Sequence, residues 1–245
     1  VDDSRLVVLN AMDAAQRGAS IQTRTKFLGA QTVNNLWQAE LEDQKTGARS
    51  TITARALVNA AGPWVEEVLH RVPGTHNEAQ IRLVKGSHIV VPRMYDGEHA
   101  FLLQNPDGRV VFTIPYENEY TLIGTTDVSC QENPASVSIS EAEIAYLCET
   151  VNGYFARSIA PSDVKWTYAG VRPLSDDEAA NASKVTRDYK LELTEAPDQP
   201  ALLSVFGGKI TTYRRLAETA LHKLHPFIGG PLQSWTAQAA LPGGD

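Results

Sequence analysis

The sequence predicts a mixed α/β fold of the α+β type, in which part of a βαβ domain is interleaved with a second domain. The second domain is expected to be built on a mixed, largely antiparallel sheet flanked by helices. Three observations predict this fold. A short apolar run at 55–64 ends in small residues and leads into a helical pattern. Strand-like stretches at 81–91 and 109–127 indicate antiparallel sheet, and a helix with a capping box begins at Ser140.

The first third of the chain is predicted to contain a helix, a hairpin and a strand–turn–helix unit. Helical spacing covers 5–17, and residues 19–30 then alternate as a strand. The residues at 45–47 are Lys-Thr-Gly, which is typical of the turn of a hairpin. Pro63 lies near the end of the 55–64 run, where the next helix would begin, and proline is favoured in the first turn of a helix.

The rest of the chain is predicted to be mostly strands, with two helices. A hairpin turn is expected at 117–119, and Ser140 with Glu143 forms the capping box of the first helix. The second helix follows a break at 207–209 and runs through Leu224. Residues 224–244 carry no charge until the chain end and contain three prolines, which predicts a loop. The predicted strands are 81–91, 110–116, 120–125, 165–168, 184–194 and 202–206.

Composition excludes several classes of protein. The 245 residues include 22 basic and 29 acidic side chains, and the net charge of −7 argues against a nucleic-acid partner. Cys130 and Cys148 have no CxxC or metal-ligand spacing, so inert thiols in a reducing compartment and no metal site are expected. The sequence shows no pattern of a signal peptide or a transmembrane helix.

Two groups of residues carry candidate chemistry. The turn at 207–212, Gly-Gly-Lys-Ile-Thr-Thr, places backbone N–H groups at a helix N-terminus, where they favour an anion or an electron-rich carbonyl. The alternative is an ordinary glycine turn with a threonine cap. The spacing of the turn at 207–212 does not match a Walker motif, which excludes nucleoside triphosphate hydrolysis. The chain also contains no GxGxxG motif for binding a dinucleotide.

His88 and Arg172 are the second group. His88 lies on a predicted strand and is a candidate base near neutral pH, or else a hydrogen-bonded core residue. Arg172 lies between Gly170 and Pro173, which restrict the backbone on either side. A guanidinium on such a restricted backbone is suited to bind a phosphate or a carboxylate through two parallel hydrogen bonds. The alternative is that Arg172 forms an ion pair at the surface.

Five motifs occur in an order that resembles a known family. They are ALVNAAGPW at 56–64, RLVKGSH at 82–88, IGTTD at 123–127, YAGVRPL at 168–174 and FGGKITTYR at 206–214. In this order, over most of the chain, they resemble the FAD-dependent aerobic glycerol-3-phosphate dehydrogenases of the D-amino-acid-oxidase-like flavoproteins. Residues 235–245 resemble the start of that family's C-terminal cap domain.

The resemblance implies oxidation of sn-glycerol 3-phosphate to dihydroxyacetone phosphate, with hydride transfer to FAD and electrons passed to a membrane quinone. It further implies a homodimer in the cytoplasm, peripherally attached to the inner membrane. Two alternatives stay open. One is a related FAD-dependent oxidoreductase acting on an amine or a 2-hydroxy acid, and the other is a non-catalytic binding or assembly module.

The resemblance also implies site residues. His88, Arg172 and Lys209 would be catalytic, with His88 preferred over Lys209 as the base, and Arg187 in Thr-Arg-Asp-Tyr at 186–189 would join them in binding substrate. Ala60 and Trp64 flank the flavin-contacting positions. Those positions are Ala61, Gly62, Gly207, Gly208, Thr211 and Thr212.

The predicted domains follow from the same resemblance. Residues 1–75 and 201–225 would belong to the FAD-binding domain, 76–200 to the substrate-binding domain, and 226–245 to a linker toward a C-terminal domain. The family's N-terminal segment, with its main pyrophosphate-binding motif and a further substrate arginine, is absent from the sequence. We therefore expect a central fragment that holds FAD poorly and has weak or no activity alone.

Overall fold

The computed structural model describes residues 3–75, 81–175, 188–194 and 199–244. Its contacts divide the chain into two units, one formed by Val1–Glu78 with Asp188–Asp245 and the other by Ala79–Arg187. The mixture of helices with several sheets confirms the predicted fold class. The functions assigned to the predicted domains stay predictions.

Within the described residues, unit 1 contains two three-stranded sheets and three α-helices. Its elements are α1 (Asp3–Gln16), β1 (Thr25–Val33), β2 (Leu36–Asp43), β3 (Arg49–Ala54), β4 (Ala56–Asn59), α2 (Val65–Leu69), β11 (Tyr189–Thr194), β12 (Ala201–Gly207) and α4 (Tyr213–Ile228). The first sheet is an antiparallel meander in the order β1-β2-β3, and the second has the order β11-β12-β4. In the second sheet β12 runs parallel to β4 and antiparallel to β11.

The core of unit 1 forms where α4 covers the second sheet. Ala201 and Leu203 on β12 pack against Leu224 on α4, and all three are buried. Trp37 on β2 is fully buried and donates its indole N–H to the carbonyl oxygen of Ala201 at 2.9 Å. This bond satisfies the one polar atom of a large aromatic side chain and joins the two sheets of the unit.

In its described residues, unit 2 is one antiparallel sheet with a helix packed on one face. Its elements are β5 (Ile81–Pro92), β6 (Phe101–Gln104), β7 (Val110–Tyr116), β8 (Tyr120–Gly124), β9 (Val128–Ser129), α3 (Glu141–Asn152) and β10 (Trp166–Ser175). The strand order is β10-β5-β8-β7-β6, and the short β9 also pairs with β5. Side chains alternate between the two faces of a strand, so Ile89 and Val91 on β5 point to α3, whereas His88 points to the opposite face.

Several local predictions are confirmed by the structure. Residues 45–47 and 117–119 lie between antiparallel strands, as predicted. Ser140 and Glu143 form the predicted capping box, with each side chain bonded to the other's backbone N–H. Cys148 is buried in the core beneath α3, in the predicted apolar stripe.

Other local predictions are wrong or incomplete. Residues 19–24 precede β1, because Arg24 adopts a left-handed φ of 56° that a strand does not tolerate. Helix α4 continues over Pro226 to Ile228, although the sequence predicts a loop from 224. A proline near a helix end removes one backbone bond, and here Phe227 and Ile228 pack on the core and compensate for it. Strand β10 extends to Ser175, past the predicted end at 168, and the predicted turn at 176–178 lies outside the described residues.

None of the helices in the described residues combines the length and the apolar character that crossing a bilayer requires.

Candidate functional site

The predicted flavin-contacting residues of unit 1 lie at one edge of its second sheet. Strands β4 and β12 are parallel neighbours, with Asn59 opposite Ser204. Ala61 and Gly62 follow β4, and the glycine pair 207–208 ends β12. Each turn leads into a helix. In α/β sheets, ligands bind at the carboxyl ends of parallel strands, and both predicted turns lie at that edge.

Glycine is required in these turns by the backbone conformation. The φ angles of Gly62, Gly207 and Gly208 are 56°, 68° and 97°, a region that residues with a Cβ rarely adopt. A Cβ placed on Gly62 would meet no atom within 4 Å, so the chain leaves its backbone accessible there. Asn59 fixes this turn, since its Nδ2 donates to the Val65 carbonyl at 2.9 Å and its Oδ1 accepts from the Ala61 N–H.

Lys209, Thr211 and Thr212 form the start of the helical segment that leads into α4. The exposed Lys209 occupies the N-cap, and its carbonyl accepts the backbone N–H and the hydroxyl of Thr212, both at 3.0 Å. The first N–H groups of a helix have no preceding helical carbonyl and lie at the positive end of its dipole. Two glycines without a Cβ and these N–H groups fit the approach of an electron-rich ring edge, as a flavin provides.

In unit 2, His88 and Arg172 lie on the face of the sheet opposite α3. Tyr168 on β10 pairs with His88 on β5, and the two rings stack with centroids 4.6 Å apart and planes 10° from parallel. Gly124 on β8 pairs with His88 from the other side. A Cβ on Gly124 would lie 2.6 Å from His88 Cγ, so only glycine leaves room for the imidazole. Tyr168 and Phe112 on this face are exposed.

The Arg172 guanidinium is held by the segment that follows β8. Its Nη1 lies 2.8 Å from Asp127 Oδ1, and its Nη2 donates to Thr125 Oγ1 at 2.9 Å. The group lies over Gly86, where a Cβ would approach Nη1 to 2.6 Å. The ion pair with Asp127 is the structural role that the sequence analysis gave as the alternative to anion binding by Arg172. The side chain remains 29% exposed, so the same guanidinium also faces solvent.

Burial and charge set the protonation state of His88. Burial, followed by the positive charge of Arg172, lowers the pKa of His88 from 6.5 to about 4. His88 Nδ1 is buried and has no hydrogen-bond partner among the described residues. The imidazole is therefore uncharged at neutral pH and able to accept a proton.

Replacing Arg172 with alanine is expected to raise the pKa of His88 from about 4 toward 6.5. The positive charge that disfavours the imidazolium is removed, and the loss of the long side chain admits water to the ring. The measurement is an NMR titration of the His88 ring signal in both proteins. An unchanged His88 pKa would contradict the electrostatic link between the two side chains.

An ion pair lies on the opposite face of the same sheet, toward α3. Lys85 Nζ is 3.0 Å from Glu143 Oε2, and both side chains are less than a tenth exposed. Burial would raise the pKa of Glu143, but hydrogen bonds from Thr126, the Ser140 N–H, Ser87 and Lys85 lower it to about 2. Glu143 is thus ionised throughout the physiological range.

The structure brings some of the predicted site residues together and separates others. His88 and Arg172 share one face in unit 2, whereas Lys209 lies beside the glycine turns of unit 1. Arg187 lies outside the described residues. Sequence reasoning missed the residues that support the two side chains, although the motifs around them contain every one. These supporting residues are Gly86, Gly124, Thr125, Asp127 and Tyr168.

Comparison with known proteins decides the family. The sequence model of the DAO family, described as FAD dependent oxidoreductase, matches residues 1–214. The chain belongs to this family. The predicted resemblance to flavoproteins of the D-amino-acid-oxidase type is confirmed.

Members of the FAD dependent oxidoreductase family resemble the whole chain. A glycerol-3-phosphate dehydrogenase of Pseudomonas aeruginosa is 51% identical over 245 residues, which is 100% of this chain and 48% of the relative. A D-erythritol 1-phosphate dehydrogenase of Brucella abortus is 48% identical over 248 residues, 100% of this chain and 49% of that protein. The chain therefore spans about half the length of the curated relatives it matches.

A solved member of the family has the same fold. The glycerol-3-phosphate dehydrogenase from Bacillus halodurans, solved in complex with FAD, superposes with a TM-score of 0.85 at 29% identity. The match covers 100% of this chain and 47% of that one. The arrangement of sheets and helices described above is thus a fold that this family uses.

Proposed function

We propose that this chain supplies the substrate side and part of the flavin site of a dehydrogenase that oxidises sn-glycerol 3-phosphate to dihydroxyacetone phosphate. The observation that carries the proposal is that an uncharged His88 and the Arg172 guanidinium lie on the same face of one sheet. The glycerol-3-phosphate dehydrogenases among its relatives support the choice of substrate.

Arg172 is proposed to bind the phosphate group. A phosphomonoester carries about −1.5 to −2 charges at neutral pH, and a guanidinium matches its oxygens with two parallel N–H donors. Asp127 and Thr125 hold the guanidinium plane before substrate arrives, which lowers the entropy lost on binding. Arg187 and Lys209 are proposed as further cationic contacts for the dianion.

His88 is proposed to accept the proton of the substrate's C2 hydroxyl. FAD, when bound, supplies the acceptor for the hydride that leaves C2. Because the Arg172 charge helps to lower the His88 pKa, a phosphate bound to Arg172 offsets that charge and raises the proton affinity of the imidazole. Substrate binding would thus strengthen the base where it is needed.

The flavin would be held at the sheet edge of unit 1. Ala61, Gly62 and the 207–208 pair bring the backbone close without a side chain in the way. The N–H groups at the start of this helical segment, up to Thr211, would donate to an electronegative edge of the flavin ring, and Thr212, whose N–H is bonded to Lys209, would lie beside it. Lys209 extends from the same turn and is the second candidate for moving a proton.

We further propose that electrons pass to a membrane quinone and that the protein is a homodimer attached peripherally to the cytoplasmic face of the inner membrane. This part of the proposal rests on the resemblance of the five sequence motifs to aerobic glycerol-3-phosphate dehydrogenases. A quinone-linked enzyme reduces a water-soluble quinone analogue faster than it reduces oxygen. The opposite preference would indicate an oxidase and would remove the quinone from this proposal.

D-Erythritol 1-phosphate is the second candidate substrate. The Brucella relative named for it is 48% identical to this chain, close to the 51% of the Pseudomonas relative. Both substrates are phosphomonoesters of a polyol, so both suit an arginine beside a neutral histidine. The two values of kcat/KM distinguish them when they are measured side by side on the flavin-loaded protein, which here and below means the FAD-bound enzyme of full family length that contains this chain.

Replacing Arg172 with alanine in the flavin-loaded protein is expected to lower kcat/KM for glycerol 3-phosphate by about 10- to 150-fold. A lost charged hydrogen-bond partner costs about 1.5–3 kcal/mol, which converts to this range. Arg109→Ala is the matched control, since Arg109 also pairs with an aspartate and its side chain is 30% exposed. Equal kinetics for wild type and Arg172→Ala would remove Arg172 from the substrate site.

A further inference from the structure

The buried carboxylate of Glu143 joins several elements of unit 2. Its Oε1 accepts hydrogen bonds from Ser87 Oγ at 2.8 Å and from Thr126 Oγ1 at 2.7 Å. Its Oε2 lies 3.0 Å from Lys85 Nζ and accepts the N–H and hydroxyl of Ser140, both at 2.9 Å. Of these partners, a capping-box glutamate requires only the backbone N–H of Ser140. The remaining bonds connect α3 to β5 and to the segment after β8.

This cluster lies behind the sheet face that carries His88 and Arg172. Lys85 and Ser87 alternate with Gly86 and His88 along β5, so the two pairs project from opposite faces. The guanidinium of Arg172 lies over Gly86 on the front face. Only the backbone of β5 separates the Glu143 cluster from the Arg172 guanidinium.

Thr126 connects the back of the sheet to the front. Its hydroxyl donates to Glu143 and accepts the backbone N–H of Ser87 at 3.0 Å, and its own N–H donates to the Ser87 carbonyl at 3.3 Å. Its neighbours Thr125 and Asp127 bind the Arg172 guanidinium. The threonine thus ties to β5 the three-residue segment that holds Arg172.

Fold stability alone gives little reason for a buried ion pair at this place. Removing two charges from water costs several kcal/mol, and well-packed apolar residues of similar volume often serve a core equally well. A charged acceptor does what an apolar pair cannot, because it aligns hydroxyl donors from different elements with short directional bonds.

We propose that Glu143, paired with Lys85, is a positioning residue that acts through Thr126 to set the place of the Arg172 guanidinium on the other face of the sheet. The inference rests on the proposed function, since it assumes that Arg172 binds substrate phosphate. It adds Thr126, Glu143 and Lys85 to the residues on which substrate binding depends, although none of them projects from the substrate face.

The test is Thr126→Val in the flavin-loaded protein, which removes the hydroxyl and keeps the side-chain volume. We expect KM for glycerol 3-phosphate to rise about tenfold while kcat changes by less than about threefold. Thr126→Ser keeps the hydroxyl and is expected to restore KM. Thr113→Val is the matched control, because Thr113 is fully buried in the same sheet and its Oγ1 has no partner within the described part of the chain.

A double-mutant cycle separates positioning from a general structural effect. If Thr126 acts through Arg172, Thr126→Val has no further effect on KM in an Arg172→Ala background. An equal rise in KM in both backgrounds, or an unchanged KM in the single variant, overturns the inference. If Arg172→Ala itself leaves kcat/KM unchanged, the proposed function fails instead. Should Thr126→Val not fold, Thr126→Ala also lacks the hydroxyl and carries the same prediction.

Discussion

Replacing His88 with alanine lowers kcat for glycerol 3-phosphate by about 10²- to 10⁴-fold, the range expected when a general base is lost. The substitution removes the only side chain proposed to accept the C2 proton in unit 2, and it leaves Arg172 and its partners in place. We therefore expect KM to change far less than kcat. The measurement is steady-state kinetics of the flavin-loaded protein with glycerol 3-phosphate.

His99→Ala is the control for this prediction. His99 belongs to the same unit but is exposed and contacts the ring of Phe101. In the described part of the chain its ring contacts are with Tyr95 and Phe101, outside the proposed site, so its variant should keep the wild-type kcat. A normal rate in His88→Ala would assign the base to another group, and Lys209 would be the next candidate.

Glu143→Leu is expected to lower the free energy of unfolding by about 3–5 kcal/mol, because it leaves the Lys85 ammonium buried without a counter-charge. The measurement is equilibrium unfolding in denaturant. Glu98→Leu is the matched control, since Glu98 pairs with Arg93 at 3.4 Å but is 81% exposed. An exposed pair contributes about 0–1 kcal/mol.

Two further measurements check the cause of that loss. Lys85→Met combined with Glu143→Leu should recover much of the stability, since no unpaired charge remains. The pKa of Glu143 is about 2 in the folded protein and 4.5 without its partners, so its contribution is complete above pH 4.5 and is lost as pH falls toward 2. A Glu143→Leu protein as stable as wild type would contradict a buried, ionised pair.

Local sequence signals predicted the helices and turns well where the interacting residues lie within a few positions of each other in the chain. The capping box of Ser140 and Glu143 was predicted because both partners lie within one helical turn. The second role of Glu143 could not be predicted, since Ser87 is 56 residues away in sequence. Only the packing of α3 against β5 brings them together.

The candidate site shows the same division. The motifs identified His88 and Arg172 separately, but their shared face depends on the pairing of β5 with β10, which no local pattern specifies. The ion pair with Asp127 depends on the path of the chain after β8. Gly86 and Gly124 look like ordinary strand glycines in sequence. Glycine is required at these positions because the fold places the Arg172 side chain over Gly86 and the His88 side chain over Gly124.

The central claim is that the face carrying His88 and Arg172 receives a phosphorylated polyol for oxidation by FAD. The most direct measurement is anaerobic mixing of the flavin-loaded protein with glycerol 3-phosphate while the absorbance of oxidised flavin is recorded. We predict rapid loss of that absorbance in wild type, a much slower loss in His88→Ala, and none with glycerol, which lacks the phosphate. Equal loss with glycerol, or no loss with glycerol 3-phosphate, would contradict the claim.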